Sequence, residues 1–62
     1  MNTKYKIKYK LVVSGVLPQE RIYYYRHEAN AKQAEKTWCS NHPKIKTVFS
    51  KVYDNRIYNY MD

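Results

Sequence analysis

The chain contains very little cysteine and very little glycine. Among its 62 residues there is one cysteine, Cys39, and one glycine, Gly15. A lone cysteine excludes an internal disulfide, which argues against a stapled secreted scaffold and favours a reducing compartment. A single glycine excludes the glycine-rich loops that bind phosphates.

Acidic residues are also scarce, and their spacing indicates no catalytic site. The five Asp and Glu residues lie at positions 20, 28, 35, 54 and 62, and no two of them suggest an acid–base pair. Cys39 and His42 have C-x-x-H spacing, but with His27 they provide fewer than the four ligands of a structural zinc site. The simplest interpretation is that Cys39 is a small buried thiol. The sequence therefore predicts a protein that is not an enzyme and that has no metal site and no cofactor.

Long apolar runs are missing as well. A membrane-spanning helix needs about 20 apolar residues, and no stretch of the chain approaches that length. The run 11–17 is interrupted by Ser14 and Gly15 and is followed by no small-residue cleavage site, so we expect no secretion signal. We expect one compact domain, residues 1–62, in the cytoplasm of a bacterial or host cell.

Basic residues and tyrosines are abundant. Twelve Lys and Arg give a formal net charge of +7 and a pI near 9.6, which favours polyanionic partners such as nucleic acid, anionic lipid or an acidic protein. Eight residues are Tyr, against one Phe and one Trp. Tyrosine suits half-exposed faces and interfaces, and a core this small makes a homodimer or a larger oligomer plausible.

Residues 4–13 alternate basic and apolar side chains, the pattern of a β-strand with two different faces. One predicted face carries Tyr5, Ile7, Tyr9 and Leu11. The other carries Lys4, Lys6, Lys8 and Lys10. We expect residues 21–27 to form a second strand, antiparallel to the first. Its inward side is predicted to carry Ile22, Tyr24 and Arg26, and its outward side Arg21, Tyr23, Tyr25 and His27.

The apolar period then changes to that of a helix over residues 30–41. Asn30 is the predicted N-cap, and Gln33 would complete a capping box with it. Ala31, Ala34 and Trp38 share one face of this helix, and we expect Trp38 to be the centre of the core. Pro43 forces the preceding residue out of the helical region, so the helix should end near Ser40 or Asn41.

A third strand is predicted over residues 44–53, with Ile45, Thr47 and Phe49 facing inward. Val48 and Val52 would then face outward, which suggests a bulge or a change of register midway along the strand. The pair Asp54 and Asn55 is typical of a two-residue turn, and we expect residues 56–60 to return as a fourth strand. The predicted fold is therefore an α+β, ββαββ domain, with one antiparallel sheet covered on one face by a single helix.

The outward faces of these strands together predict a basic surface set with aromatic rings. Its members are Lys4, Lys6, Lys8, Lys10, Arg21, Tyr23, Tyr25, Lys44, Lys46, Arg56, Tyr58 and Tyr60. Cations neutralise phosphates and exposed rings stack on unpaired bases, so this combination indicates binding of single-stranded nucleic acid. The lysine row could instead serve to prevent edge-to-edge aggregation.

Two functions therefore follow from the sequence. The first is a non-enzymatic nucleic-acid-binding accessory protein, with the composition expected of a phage or of an AT-rich bacterium. The alternative is a small inhibitor or modulator that docks on a host or partner protein through exposed Tyr and Arg, or by adding an edge strand to the partner's sheet.

Overall fold

The chain forms a three-stranded antiparallel sheet with one helix on one of its faces. A computed structural model describes residues 6–16 and 18–62. The elements are, in chain order, β1 (Lys6–Ser14), β2 (Arg21–Tyr25), α1 (Glu28–Asn41) and β3 (Lys46–Asp54). The strand order is β2-β1-β3. The predicted α+β class, with an antiparallel sheet and a single helix, is confirmed.

The alternating basic and apolar strand, β1, is the central strand of the sheet. It pairs with β2 along one edge and with β3 along the other, antiparallel in both cases. The β3 pairing runs without interruption from Lys6 opposite Asp54 to Ser14 opposite Lys46. A bulge would place two residues of β3 opposite one of β1. The predicted bulge is therefore wrong.

The core lies between β1 and α1 and is small. Leu11 and Val13 are completely buried, and Ala31 of the helix is buried against them. The short side chain of Ala31 lets the helix backbone approach the sheet closely. Trp38 is only half-buried, with its ring 6.1 Å from that of Tyr23 at the margin of the core. The prediction that Trp38 is the centre of the core is wrong, because the Leu11 side chain already occupies that place.

The faces of β2 are the reverse of those predicted. Tyr23 pairs with Leu11 and packs against the core, and Tyr25 is buried on the same face. Ile22 and Tyr24 therefore point away from the helix. Consecutive tyrosines give no contrast between the two faces, since each ring is apolar along its body and polar at its tip. The pairing with β1, rather than the composition of β2, decides which rings are buried.

The helix begins earlier than predicted, because a distant residue stabilises the chain at its start. The N-cap position is His27, which makes no hydrogen bond through its side chain to the helix, and the first helical residue is Glu28. Asn30 lies inside the first turn and donates from Nδ2 to the Asp62 carboxylate at 3.1 Å. The predicted capping box of Asn30 with Gln33 is therefore wrong.

The end of the helix agrees with the sequence. The last helical residue is Asn41, and His42 leaves the helical conformation (φ −138°, ψ 86°) immediately before Pro43. The His42 N–H still donates to the Trp38 carbonyl at 2.9 Å, which closes the final turn. Cys39 is exposed on this turn and is not the buried thiol expected.

The direction of the side chains along β3 is the one predicted. Ile45, just before the strand, and Phe49 pack against the core on the helix side, and Thr47 forms a hydrogen bond to the helix. The Thr47 hydroxyl donates to the Glu35 carboxylate at 2.8 Å, which explains why an acid lies on the inner side of the helix. Val48 faces the other way and is 60% exposed.

The predicted fourth strand is not formed by the described residues. Residues 55–62, called here the C-terminal segment, cross the sheet on the side away from the helix and reach the edge of β2. There Tyr60 makes one isolated parallel bridge to Tyr24, and the Met61 N–H donates to the Tyr24 carbonyl at 2.9 Å. The segment does not return along β3, because contacts with Lys8 at its start direct it across β1.

Candidate nucleic-acid interface

The side of the sheet away from α1 is only partly covered, and it is called here the open face. It carries Lys10, Val12 and Ser14 of β1, Ile22 and Tyr24 of β2, and Lys46, Val48, Ser50 and Val52 of β3. Across its middle, Val12 lies between Ile22 and Val48. Ile22 is 45% exposed and Val48 60% exposed, so the middle of the face is an apolar row open to solvent.

Lysines lie on either side of this apolar row. Lys10 is half-buried between Tyr24 and Ser50, and Lys46 is exposed at the start of β3, opposite Ser14. Strand geometry separates their Cα atoms by about 14 Å. The open face therefore presents apolar contact area between two positive charges.

Three tyrosines, called here the tyrosine cluster, join the open face to the C-terminal segment. The rings of Tyr24 and Tyr58 are stacked, with centroids 3.8 Å apart and planes 12° apart. Tyr60 meets Tyr58 edge to face at 6.5 Å. The Arg26 guanidinium lies over the Tyr60 ring, 4.5 Å from its centroid. The cluster is thus a set of half-buried rings next to cations, the side-chain types that stack on bases.

Lys8, also on this side of β1, has a structural role. Its ammonium donates to the Asp54 carboxylate at 2.6 Å, to the Asp54 carbonyl at 3.0 Å and to the Arg56 carbonyl. It also lies 5.2 Å from the centre of the Tyr58 ring. Only 2% of Lys8 is exposed, so its ammonium binds the C-terminal segment to the sheet and is not accessible to a ligand.

Ionisation of this group of residues follows from their contacts. Burial alone would lower the pKa of Lys8, but the hydrogen bond and the negative charge of Asp54 outweigh it and the pKa is raised. The Lys8 hydrogen bond likewise lowers the pKa of Asp54, helped by the Arg56 N–H and by the Tyr58 hydroxyl. Burial raises the pKa of Tyr58, and its hydrogen bond to Asp54 acts in the same direction. At neutral pH the pair is fully charged and the phenol is neutral.

The acids on this side of the protein are engaged, whereas several of its cations are not. Asp54 binds Lys8, and Asp62 binds the chain at the start of the helix. Within the part of the chain that the structure describes, Lys10, Lys46 and Arg56 form no salt bridge. The open face and its margins therefore carry unneutralised positive charge.

The structure divides the residues that the sequence assigned to one basic aromatic face. Lys10 and Lys46 do share the open face, and Tyr58 and Tyr60 lie beside it. The prediction that Tyr23 and Tyr25 belong to it is wrong, because the helix covers their side of the sheet.

The remaining members of the predicted set lie elsewhere. Lys8 is on the correct side but is buried. Arg21, at the start of β2, and Lys44, in the turn before β3, are exposed at one end of the sheet, and Arg56 is exposed in the C-terminal segment. Lys4 and the side chain of Lys6 lie outside the described residues.

The open face also contains residues that the sequence pattern did not predict. Tyr24, Ile22 and Val12 were assigned to the core or left out, although Val48 was correctly placed facing outward. The apolar row is recognisable from the pairing of Val12 with both Ile22 and Val48. That pairing can be inferred only when the strand order is known.

Other reactive side chains do not assemble into a site. In residues 6–16 and 18–62 no three His, Cys, Asp or Glu residues are placed to hold a metal ion. His42 contacts the Trp38 ring, with centroids 5.6 Å apart, and His27 contacts Asp62. Over the same residues, no helix combines the length and apolar character needed to cross a membrane.

Comparison with known proteins found no relative. No protein-family model matches the chain, no curated protein matches it in sequence, and no solved structure matches its fold.

Proposed function

We propose that the chain is a non-enzymatic nucleic-acid-binding protein that uses the open face and the tyrosine cluster to bind single-stranded nucleic acid. The observation that carries this proposal is the placement of Lys10 and Lys46 on a face whose acid, Asp54, is already paired with Lys8. A polyanion approaching this side meets positive charge without a competing carboxylate.

The arrangement of groups suits unpaired bases better than a duplex. Phosphates would be neutralised by Lys10, Lys46 and Arg56, while bases would lie on the apolar row and against the tyrosine cluster. Stacking on aromatic rings contributes about 1–3 kcal/mol per base and tolerates any sequence, because every base has a π face. The bases of a duplex are already stacked and cannot use these rings. We therefore expect little sequence preference and a preference for single strands over duplex.

The test is a salt titration of binding to a fluorescently labelled single-stranded oligonucleotide of about 12 nucleotides, followed by anisotropy. For three phosphate contacts, the slope of log affinity against log salt should be about −2, since each contact to a single strand contributes about 0.7. Lys46→Glu should lower the affinity and reduce that slope.

Lys36→Glu is the matched control. It makes the same change in net charge, but on an exposed position of α1, on the other side of the sheet. We expect it to reduce binding much less than Lys46→Glu. Equal losses in the two variants would mean that net charge alone attracts the oligonucleotide, and no binding at low salt would refute the proposal.

The alternative function, docking on another protein, is favoured by the apolar row. Exposed Ile22 and Val48 are apolar side chains that the surface of a protein partner would cover more completely than bases would. That function predicts capture of a specific protein in moderate salt, lost in the Val48→Ser or Tyr58→Ala variant. It also predicts no oligonucleotide binding by the purified chain.

A further inference from the structure

We propose that two copies of this chain associate through the outer edges of β3, forming a continuous six-stranded sheet about a two-fold axis normal to it. The proposal goes beyond nucleic-acid binding and does not depend on it. The proposal rests on the nine-residue edge strand β3, Lys46–Asp54. When two copies of this strand pair antiparallel, their side chains are complementary.

The first observation is that β3 is an open edge. It pairs with β1 along its whole length, and no described strand pairs with its other side. Natural edge strands are commonly protected by charged side chains, a proline, a bulge or a short length. This one contains no proline, is nine residues long and pairs in continuous register, and its charged residues are Lys46, Lys51 and Asp54. The opposite edge of the sheet, by contrast, is partly covered where Tyr60 bridges Tyr24.

The second observation is the register that symmetry allows. Opposite residues in an antiparallel pair share a face, so a two-fold axis normal to the sheet must pass beside one residue of β3. With the axis beside Ser50, all of β3 is paired. An axis beside Phe49 or beside Lys51 leaves residues unpaired at one end of each strand. The axis beside Lys51 also places the two Lys51 side chains opposite each other.

In the register centred on Ser50, the side chains are complementary on the open face. Lys46 lies opposite the partner's Asp54, whose side chain binds Lys8 of its own chain and is still 31% exposed. Val48 lies opposite the partner's Val52. Opposite charges and apolar pairs at these positions both stabilise a sheet. Val48, which is 60% exposed in one chain, would gain a neighbour.

The helix face is complementary in the same register. Phe49 lies opposite the partner's Lys51, and Thr47 lies opposite the partner's Tyr53. The Phe49 ring already contacts the Lys32 ammonium, 4.3 Å from its centre, and the Tyr9 ring at 6.0 Å, so the partner's Lys51 would pack against it through its aliphatic stem. Tyr53, 60% exposed in one chain, would be partly covered. The pairing of Lys46 with Asp54 and of Val48 with Val52 favours a second copy of this chain as the partner, whereas an open edge alone would accept any strand.

The geometry of the dimer has a consequence for the open face. A two-fold axis normal to the sheet places both helices on one side and both open faces on the other. The Lys46 residues of the two chains would then lie on one continuous surface. Pairing along one strand of about 30 Å buries less surface than a standard interface, so we expect a weak dimer that dissociates at micromolar concentrations.

The test is sedimentation of the nucleic-acid-free protein in about 0.3 M salt, at concentrations from about 5 to 500 µM. The wild-type chain should pass from monomer to dimer over this range. Ser50→Lys and Ser50→Glu each place like charges opposite each other at the axis, and each should raise the dissociation constant at least about tenfold. An equimolar mixture of the two variants should dimerise again, because the charges are then opposite.

The matched control is Ile22→Lys, which adds a lysine to the same face at the opposite edge of the sheet. It should dimerise like the wild type. Circular dichroism shows whether each variant is folded. If the Ser50 variants do not fold, hydrogen exchange of the wild-type β3 amides still tests the proposal, since their protection should increase with protein concentration.

A wild-type chain that stays monomeric at all concentrations would overturn the proposal. So would a dimer that survives both Ser50 substitutions, or failure of the mixed variants to associate. Because these measurements contain no nucleic acid, loss of the dimer and loss of oligonucleotide binding are separate results.

Discussion

Asp62 is the residue whose removal most directly tests how the C-terminal segment is held. Its carboxylate accepts hydrogen bonds from the Arg26 N–H at 2.8 Å, the His27 N–H at 2.9 Å and the Asn30 amide at 3.1 Å. It also lies 3.1 Å from Nδ1 of His27. One side chain thus joins the C-terminal segment to the connection between β2 and α1, and Asp62→Ala removes all of these contacts.

The expected loss of stability can be worked from these contacts. The side chain of Asp62 is only 10% exposed, but its partners lie at the surface, where water competes for them. An intramolecular hydrogen bond contributes about 0.5–1.5 kcal/mol net, and competition from water keeps the sum below that of three separate bonds. We therefore expect Asp62→Ala to cost about 1–2 kcal/mol. In a domain this small, each kcal/mol lowers Tm by about 4–8 °C.

The effect should depend on pH in a defined direction. Burial alone would raise the pKa of Asp62, but hydrogen bonds from Arg26, Asn30 and His27 outweigh it and hold the pKa far below its ordinary value. A lowered pKa in the folded state means that the stabilisation is complete above the unfolded pKa of about 3.9 and is lost as the pH falls toward the folded value. The gap in Tm between the wild type and Asp62→Ala should therefore be constant from about pH 5 to 7 and narrow below pH 4.

The assay is thermal unfolding followed by circular dichroism at a series of pH values. Glu20→Ala is the control, because it also removes one negative charge but Glu20 is exposed and makes no hydrogen bond within the described residues. An unchanged Tm in Asp62→Ala, or a Tm gap that does not narrow in acid, would show that the Asp62 contacts do not stabilise the fold.

Two further predictions concern the core and the turn after β1. Leu11→Ala should lower the free energy of unfolding, measured by urea denaturation, by about 2–5 kcal/mol, because Leu11 is completely buried. Ile57→Ala, at a residue that is 90% exposed, is the control and should change it very little. Equal losses in the two variants would contradict the assigned core. Gly15→Ala should cost about 1 kcal/mol or more in the same assay, because Gly15 has a φ of +102° and an added Cβ would lie 3.3 Å from the Lys44 carbonyl oxygen. Ser40→Ala, at an exposed helix position, is its control, and a cost no larger than in that control would mean that the turn relaxes to accept a side chain.

The sequence alone predicted the α+β class, the strand β1, the end of the helix and the direction of side chains along β3. The alternation of residues 4–13 predicted β1, and Leu11 proved to be completely buried on the apolar side of that strand. Pro43 predicted the end of the helix, because proline restricts the residue before it wherever the chain folds. The inward side of β3, with Ile45, Thr47 and Phe49, was also predicted correctly, because successive side chains of a strand point to opposite faces.

The tertiary structure decided what local patterns could not. Three consecutive tyrosines in β2 gave no signal for the buried face, and only pairing with β1 placed Tyr23 and Tyr25 under the helix. Asn30 was a plausible cap locally, but the helix begins before it, where the carboxylate of Asp62 binds the chain from 35 residues away.

The same distinction explains the lysine row of β1. Alternation placed Lys8 and Lys10 on one face, and that much followed from the geometry of a strand. Which of them could bind a partner depended on where residues 55–62 run, and contacts between residues distant in sequence have no local signature. Asp54 pairs with Lys8 and buries it, while Lys10 and Lys46 remain on the open face.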